Sequence, residues 1–285
     1  MRALMRRAEP TAPAANTGFV RRAVRRWHAG AIEHADDAIA EEVPIAFVYN
    51  DEPHVVMMAT PCDLEDLALG FSLSEALIGA RAELAGVEVH TLVEGIELRL
   101  RVPPARAEAL RRRRRNLVGR TGCGLCGAQV LEDALRQPPR VGAGPRIDAR
   151  VLTGALAQLH ERQPLNVATG ATHAAAWFDS AGMLALLRED VGRHNALDKL
   201  VGALVHAGLD VNEGFLVVTS RASYEMVQKA ATAGIALLAA ISAPTALAIQ
   251  LAEQAGVTLV GFARGDSHVV YAHPLRIVET AEGKT

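Results

Sequence analysis

The chain has 285 residues, half of them hydrophobic and 22% charged, with a net charge of −2, and no window approaches about eighteen uninterrupted apolar residues. Full-length disorder and a membrane span are thereby excluded, and three cysteines are too few for a disulfide framework in a chain this long. The first residues lack the apolar stretch of a secretory signal, so the expectation is a soluble protein of the reducing cytoplasm.

The near-neutral sum hides a segregation. Residues 1–30 carry seven Arg and one Glu, residues 99–120 carry nine Arg and one Glu, and the remainder is strongly acidic. Such patches suit an anionic ligand or partner surface and not the broad basic face of a nucleic-acid binder. The opening mixes Arg, Ala, Pro and Thr without steady periodicity, so residues 1–40 are expected to be a flexible Arg-rich arm. Val43–Tyr49 and His54–Ala59, around Asn50-Asp51-Glu52-Pro53, predict a hairpin. Thr60-Pro61 has the form of an N-cap with proline at the first helical position, opening a helix over Cys62–Ile78. Gly86–Leu92 and Gly95–Val102 predict a second hairpin, and a helix from about Pro103 carries Arg111–Arg115.

The segment Gly119–Gly127 has four glycines in nine residues and reads as a loop. It holds Cys123 and Cys126 in a Cys-x-x-Cys spacing that permits three chemistries. Structural zinc needs four ligands, but Cys62 lies about sixty residues away and no histidine falls within thirty residues of the pair. Dithiol exchange normally uses such a pair at a helix start, whereas here glycines flank both thiols. A sulfur-passing persulfide requires a nucleophilic thiolate, which the upstream arginines favour. Cys62, on a predicted helix, reads as a small buried hydrophobe.

The domain boundary falls near residue 140, giving a β/α domain over 41–140, an α/β domain over 141–276 and a tail over 277–285. Val151–Glu161 predicts a helix, Ala174–Asp179 and Met183–Arg188 a hairpin, and Asn195–Ala207 a helix. Phe215–Thr219, Ala236–Ile241 and Thr258–Ala263 are strands alternating with helices over Ser223–Ala233 and Thr245–Ala255. This βαβαβ order predicts an α/β fold with a largely parallel sheet covered by helices.

Ligands of open parallel sheets dock beyond the carboxyl ends of the strands. The residues there are Ser220, Arg221 and Ser223 after the first strand, Ser242–Thr245 after the second, and Phe262, Ala263, Arg264, Gly265, Asp266 and Ser267 at the third. Arg193 and His194 start another helix, whose N–H groups and adjacent guanidinium can hold an anion, and His173 is a candidate contact, acid or base. No P-loop or Gly-x-Gly-x-x-Gly pattern occurs, which disfavours ATPase and dehydrogenase readings.

Four motifs, in order, resemble the formate dehydrogenase accessory sulfurtransferase family, FdhD: Arg120–Gly127 around the two thiols, Glu189–Lys199, Thr219–Ala230 and Ser242–Thr245. The resemblance spans about residues 40–275. It implies a cytidine-deaminase-like fold, with a mixed sheet sandwiched by helices, and a homodimer. It also implies sulfur relay, in which a cysteine desulfurase loads a persulfide onto Cys123, with Cys126 as second thiol. The sulfur then goes to the molybdenum of a bis(molybdopterin guanine dinucleotide) cofactor before that cofactor enters formate dehydrogenase. Phe262–Ser267 matches the family's cofactor-binding stretch, and a guanine nucleotide is expected at the same site. The His-x-Glu and Pro-Cys-x-x-Cys signature of zinc deaminases is absent, so no metal site is expected. The alternative is a cofactor-binding chaperone whose thiols are dispensable or hold a metal.

Overall fold

The computed structural model describes residues 17–118 and 137–278. The chain begins with a hairpin, β1 (Phe19–His28) and β2 (Ala31–Ala40), that pairs in register over ten positions and joins no other sheet. Over residues 17–40 this hairpin stands where a flexible arm is expected from the sequence, and residues 1–16 of that arm lie outside the described residues. Ala29 and Gly30 both take positive φ at the tip, the geometry of a tight two-residue hairpin turn. Arg22 lies opposite Asp37 and Arg26 opposite Glu33, so acids of residues 31–40 neutralise part of the Arg-rich stretch.

A four-stranded sheet follows, built from β3 (Val43–Tyr49), β4 (Glu52–Ala59), β5 (Gly86–Thr91) and β6 (Ile96–Arg101) in the order β4-β3-β6-β5. Both expected hairpins form, and β3 and β6 run parallel between them. One face buries Ile45, Phe47, Leu98 and Leu100 beneath helix α1 (Leu64–Ser74), and α2 (Pro104–Val118) continues from β6. Thr60 is not the cap of α1: the helix starts after Asp63, whose φ is left-handed, and Thr60 is fully buried with its polar atoms used elsewhere.

The second unit is β7 (Ile147–Asp148), α3 (Ala149–Glu161), α4 (Pro164–Thr169), β8 (His173–Asp179), β9 (Leu184–Asp190), α5 (Arg193–Ala207), β10 (Gly214–Val218), α6 (Tyr224–Thr232), β11 (Leu237–Ala240), α7 (Ala246–Ala255), β12 (Thr258–Arg264), β13 (Ser267–Ala272) and β14 (Ile277–Val278). Six strands form one sheet in the order β13-β12-β11-β10-β8-β9. The parallel part is β10-β11-β12, and β8, β9 and β13 extend it antiparallel. Period-two alternation sends Leu216, Val218, Leu238 and Leu259 toward α5, α6 and α7, while Phe215, Val217, Leu237 and Val260 face α3. The mixed sheet is therefore covered on both sides. Residues 277 and 278, expected in the tail, are a strand paired with β7.

The two units meet where α1 crosses α5, and both helices carry glycine at the crossing. A Cβ on Gly70 would sit 1.7 Å from the Asp198 carbonyl oxygen, and one on Gly202 would sit 2.0 Å from that of Asp66. The backbones thus touch directly. Beside the crossing, Lys229 Nζ donates to both Asp198 oxygens (2.9 and 3.0 Å) and to Ser74 Oγ (3.1 Å), and pairs with Glu75 Oε1 at 2.8 Å.

Candidate functional site

The carboxyl ends of β9, β10, β11 and β12 and the start of antiparallel β8 all reach one edge of the six-stranded sheet. His173 pairs with Asp190, and Ala174 exchanges hydrogen bonds with Thr219 just beyond β10, its N–H donating to Oγ1 at 2.9 Å. Ala222 bridges Pro244, Thr245 N–H donates to the Ala222 carbonyl, and Phe262 N–H donates to that of Ser242. The loops are therefore linked side by side into one continuous surface, as the strand-end reading expects.

Toward its β9 and β10 end are the N-termini of α5 and α6. Arg193 and His194 open α5, and Ser223 is the N-cap of α6. Ser223 has the extended backbone of a cap, but its hydroxyl makes no capping bond. Arg193 Nε, His194 Nε2 and Ser223 Oγ are buried atoms without a hydrogen-bond partner among the described residues. Glu225 Oε2 lies 2.7 Å from His194 Nε2, an ion-pair distance, so that ring nitrogen faces a carboxylate. Buried polar groups are normally satisfied, and Arg193 Nε and Ser223 Oγ at two helix N-termini can meet an anion there.

Burial, aided by the charge of Arg193, holds His173 below the ordinary histidine range. Burial does the same to His194 against the opposing pull of Glu225, with Arg193 contributing further in the lowering direction. A depressed histidine contributes stability above its unfolded pKa of about 6.5 that is lost as pH falls through it. The melting temperature of the ligand-free protein is expected to fall on acidification below about pH 6.5, and His194→Gln to flatten that dependence in a thermal scan. A bound phosphate favours the protonated rings, so its affinity should instead rise over the same interval.

Other expected site residues divide. Arg264, Gly265, Asp266 and Ser267 are exposed on the β12–β13 hairpin, and Arg264 lies over the Phe262 ring at 5.6 Å. Phe262 is exposed and has a φ of 51°, an uncommon conformation for an aromatic residue and the kind stored at binding sites. Ala263 points the other way, into the core under α3. Arg221 is exposed, whereas Ser220 is buried and its hydroxyl donates to the Arg221 carbonyl, which uses its one donor. The Phe262 N–H bonds the Ser242 carbonyl, and β12 lies two strands, roughly 10 Å, from β10 before Ser223, and four strands, roughly 19 Å, from β9 before Arg193. The edge is long enough for an extended ligand.

Cys123 and Cys126 lie outside the described residues. Of the arginine run, Arg111 bonds Glu52 and Arg112 bonds Glu108, so these two are paired in place, and the side chains of Arg113–Arg115 lie outside the described residues. Cys62 is half-buried against Gly18, and burial pushes its thiol up, which makes it a poor nucleophile. Among the described residues no cluster of His, Cys, Asp and Glu is arranged to hold a metal, and no helix is long and apolar enough to cross a membrane. A cleft of about 630 Å³ lined by Arg146, Asp179, Asp210 and Glu213 lies at the opposite end of the sheet.

Sequence reasoning missed the support beneath the site. Asp190, Lys199 and Thr60 are fully buried, and Asn195 nearly so, and they bond the turn before Arg193 to the turn between β4 and α1. Glu189 accepts Leu165 N–H, Asn166 N–H and the Thr172 hydroxyl, fixing α4.

The family model for FdhD/NarQ matches residues 40–278. The chain belongs to the FdhD/NarQ family. A relative from Xanthomonas euvesicatoria pv. vesicatoria named sulfur carrier protein FdhD is 56% identical over 268 residues, covering 94% of this chain and 95% of that protein. A protein of the same name from Cupriavidus necator is 52% identical over 259 residues, covering 91% and 90%. A crystal structure from Desulfotalea psychrophila, provisionally described as a formate dehydrogenase accessory protein, superposes with a TM-score of 0.72 at 23% identity, over 91% of this chain and 99% of that one. That likeness shows a shared α/β fold.

Proposed function

We propose that this FdhD/NarQ protein is a sulfur carrier that takes persulfide sulfur from a cysteine desulfurase on Cys123 and delivers it to the molybdenum of a bis(molybdopterin guanine dinucleotide) cofactor destined for formate dehydrogenase. In the loading step the Cys123 thiolate attacks the outer sulfur of the desulfurase persulfide. One S–S bond forms as another breaks, and the desulfurase thiolate leaves, so no outside oxidant or reductant is consumed. Cys126 stands by as the second thiol. The names of the relatives support the sulfur-carrying part.

The observation that supports the cofactor part is the pair of buried polar atoms without a hydrogen-bond partner among the described residues, Arg193 Nε and Ser223 Oγ, at two helix N-termini, with His194 beside them. Phosphate oxygens are suited to those donors. The exposed Phe262 ring and Arg264 offer a stacking face for guanine at the other end of the edge. The reading extends to a cytoplasmic homodimer that binds guanine nucleotides at this edge.

Intact-protein mass spectrometry tests it, after incubation with a cysteine desulfurase and cysteine, with and without reductant. The expected result is a reductant-labile gain of one sulfur that Cys123→Ala abolishes. No gain, with formate dehydrogenase maturation preserved in Cys123→Ala, would remove the relay and leave a cofactor-binding chaperone.

A further inference from the structure

Arg193 and His194 can meet an anion only if the turn that leads into them is held. Asp190, at the end of β9, holds it with both carboxylate oxygens. Oδ1 accepts Gly192 N–H at 2.7 Å and the Asn195 amide at 3.1 Å, while Oδ2 accepts Thr60 N–H at 3.0 Å and faces Lys199 Nζ at 2.7 Å. Thr60 supplies the other half of the joint. Its Oγ1 accepts Val191 N–H at 3.1 Å, and its carbonyl accepts Lys199 Nζ at 2.9 Å. Asn195 also donates to the Met58 carbonyl at 2.9 Å. The bonds of Asp190 and Thr60 thus run between the β9–α5 segment, immediately before the anion-facing residues, and the β4–α1 turn.

A buried ion pair is weak support for stability alone, since well-packed apolar residues commonly serve as well or better. Its geometry here does what apolar residues cannot. A carboxylate accepts several N–H groups from two turns at once, and Lys199 sets a countercharge beside it in the interior. An asparagine at 190 would offer one acceptor oxygen and would turn a donor toward other donors.

We infer that Asp190, Lys199 and Thr60 are positioning residues that fix the Asp190–Gly192 turn so that Arg193 and His194 present their donors to the phosphate groups of the ligand. The inference rests on the proposed anion-binding edge. It makes the β4–α1 turn of the four-stranded unit part of the binding apparatus of the six-stranded one.

The test compares three variants of the full chain. Thr60→Val keeps shape and charge and deletes only the Oγ1 acceptor. Asp190→Asn with Lys199→Met removes both charges together, so neither is left orphaned. Leu152→Ala empties part of the α3 core on the far face of the sheet and serves as the stability control. Guanosine diphosphate affinity is read by calorimetry, stability by thermal melting, and local order by amide hydrogen exchange over Val191–His194.

The first two are expected to bind roughly tenfold more weakly or worse, with faster exchange confined to Val191–His194, while the control melts lower yet binds like the parent. Affinity that follows melting temperature alike in all three, or unchanged binding and exchange in the first two, overturns the inference. Failure of the parent itself to bind guanosine diphosphate would count against the proposed ligand. Exchange would then decide on positioning: acceleration confined to Val191–His194 upholds it, and unchanged exchange overturns it.

Discussion

Gly70→Ala is expected to leave little folded protein. The added methyl group would overlap the backbone of α5 at Asp198, and no side-chain rotation relieves a clash with a carbonyl group. The helices must separate, which opens the packing between α1 and α5 and strains the bonds of Ser74 and Glu75 to their partners on the second unit. Overpacking commonly costs about 1–3 kcal/mol, and a fixed backbone on both sides puts this site at or above about 3 kcal/mol. Against a total stability on the order of 5–15 kcal/mol, such a loss is severe. Chemical denaturation would show it as a lowered midpoint, and Gly154→Ala, where a Cβ meets nothing within 4 Å, should leave the midpoint nearly unmoved.

Lys229→Met should be comparably damaging for a different reason. The ammonium is almost wholly buried and answers Asp198, Glu75 and Ser74 at once. Its loss leaves the Asp198 carboxylate in the interior with only the Ser74 hydroxyl, and orphaning one member of a buried pair costs about 3–5 kcal/mol. Burial already raises the Asp198 pKa above the ordinary carboxylate range, and Lys229 is the main opposing influence. Without it the pKa rises further. A folded-state pKa above the unfolded one means that the folded protein binds the extra proton, so the variant's deficit should be greatest at neutral pH and shrink on acidification through that raised pKa. Denaturation midpoints of parent and variant from pH 8 to pH 5 would reveal the convergence. A deficit independent of pH would assign the loss to packing.

The elements that could be read from the sequence are those whose signal is local. Phe215–Val218, Leu237–Ala240 and Thr258–Val260 are short apolar runs between helical repeats, and the strands lie there. Burial on both faces demands such runs. The β1–β2 hairpin was not legible, because its arginines have the composition of a solvated tail and the acids that complement them lie in the opposite strand. Helix α4 was missed for a related reason: it has six residues, and its first N–H groups are held by Glu189, more than twenty positions away.

The same distinction divides the site. Arg193, His194 and Ser223 follow strand ends, so topology alone brings them to the edge. Ser220 shares that position, and the sequence does not tell that its hydroxyl donates to the adjacent carbonyl. Asp190 and Thr60 each look like ordinary capping residues. Their partnership is tertiary, and no periodicity announces it.

That partnership also sets an order in time. The Thr60–Asp190 hydrogen bond spans 130 positions, and Asn195 reaches back still farther to Met58. Closing so long a loop must precede any gain from the contact, so such pairings form late in folding. During synthesis the four-stranded unit emerges first and waits with the β4–α1 turn unanswered. A partial chain therefore has no assembled cradle for phosphate, and the capacity to take hold of a costly anionic cargo arises only once β9 and α5 have docked.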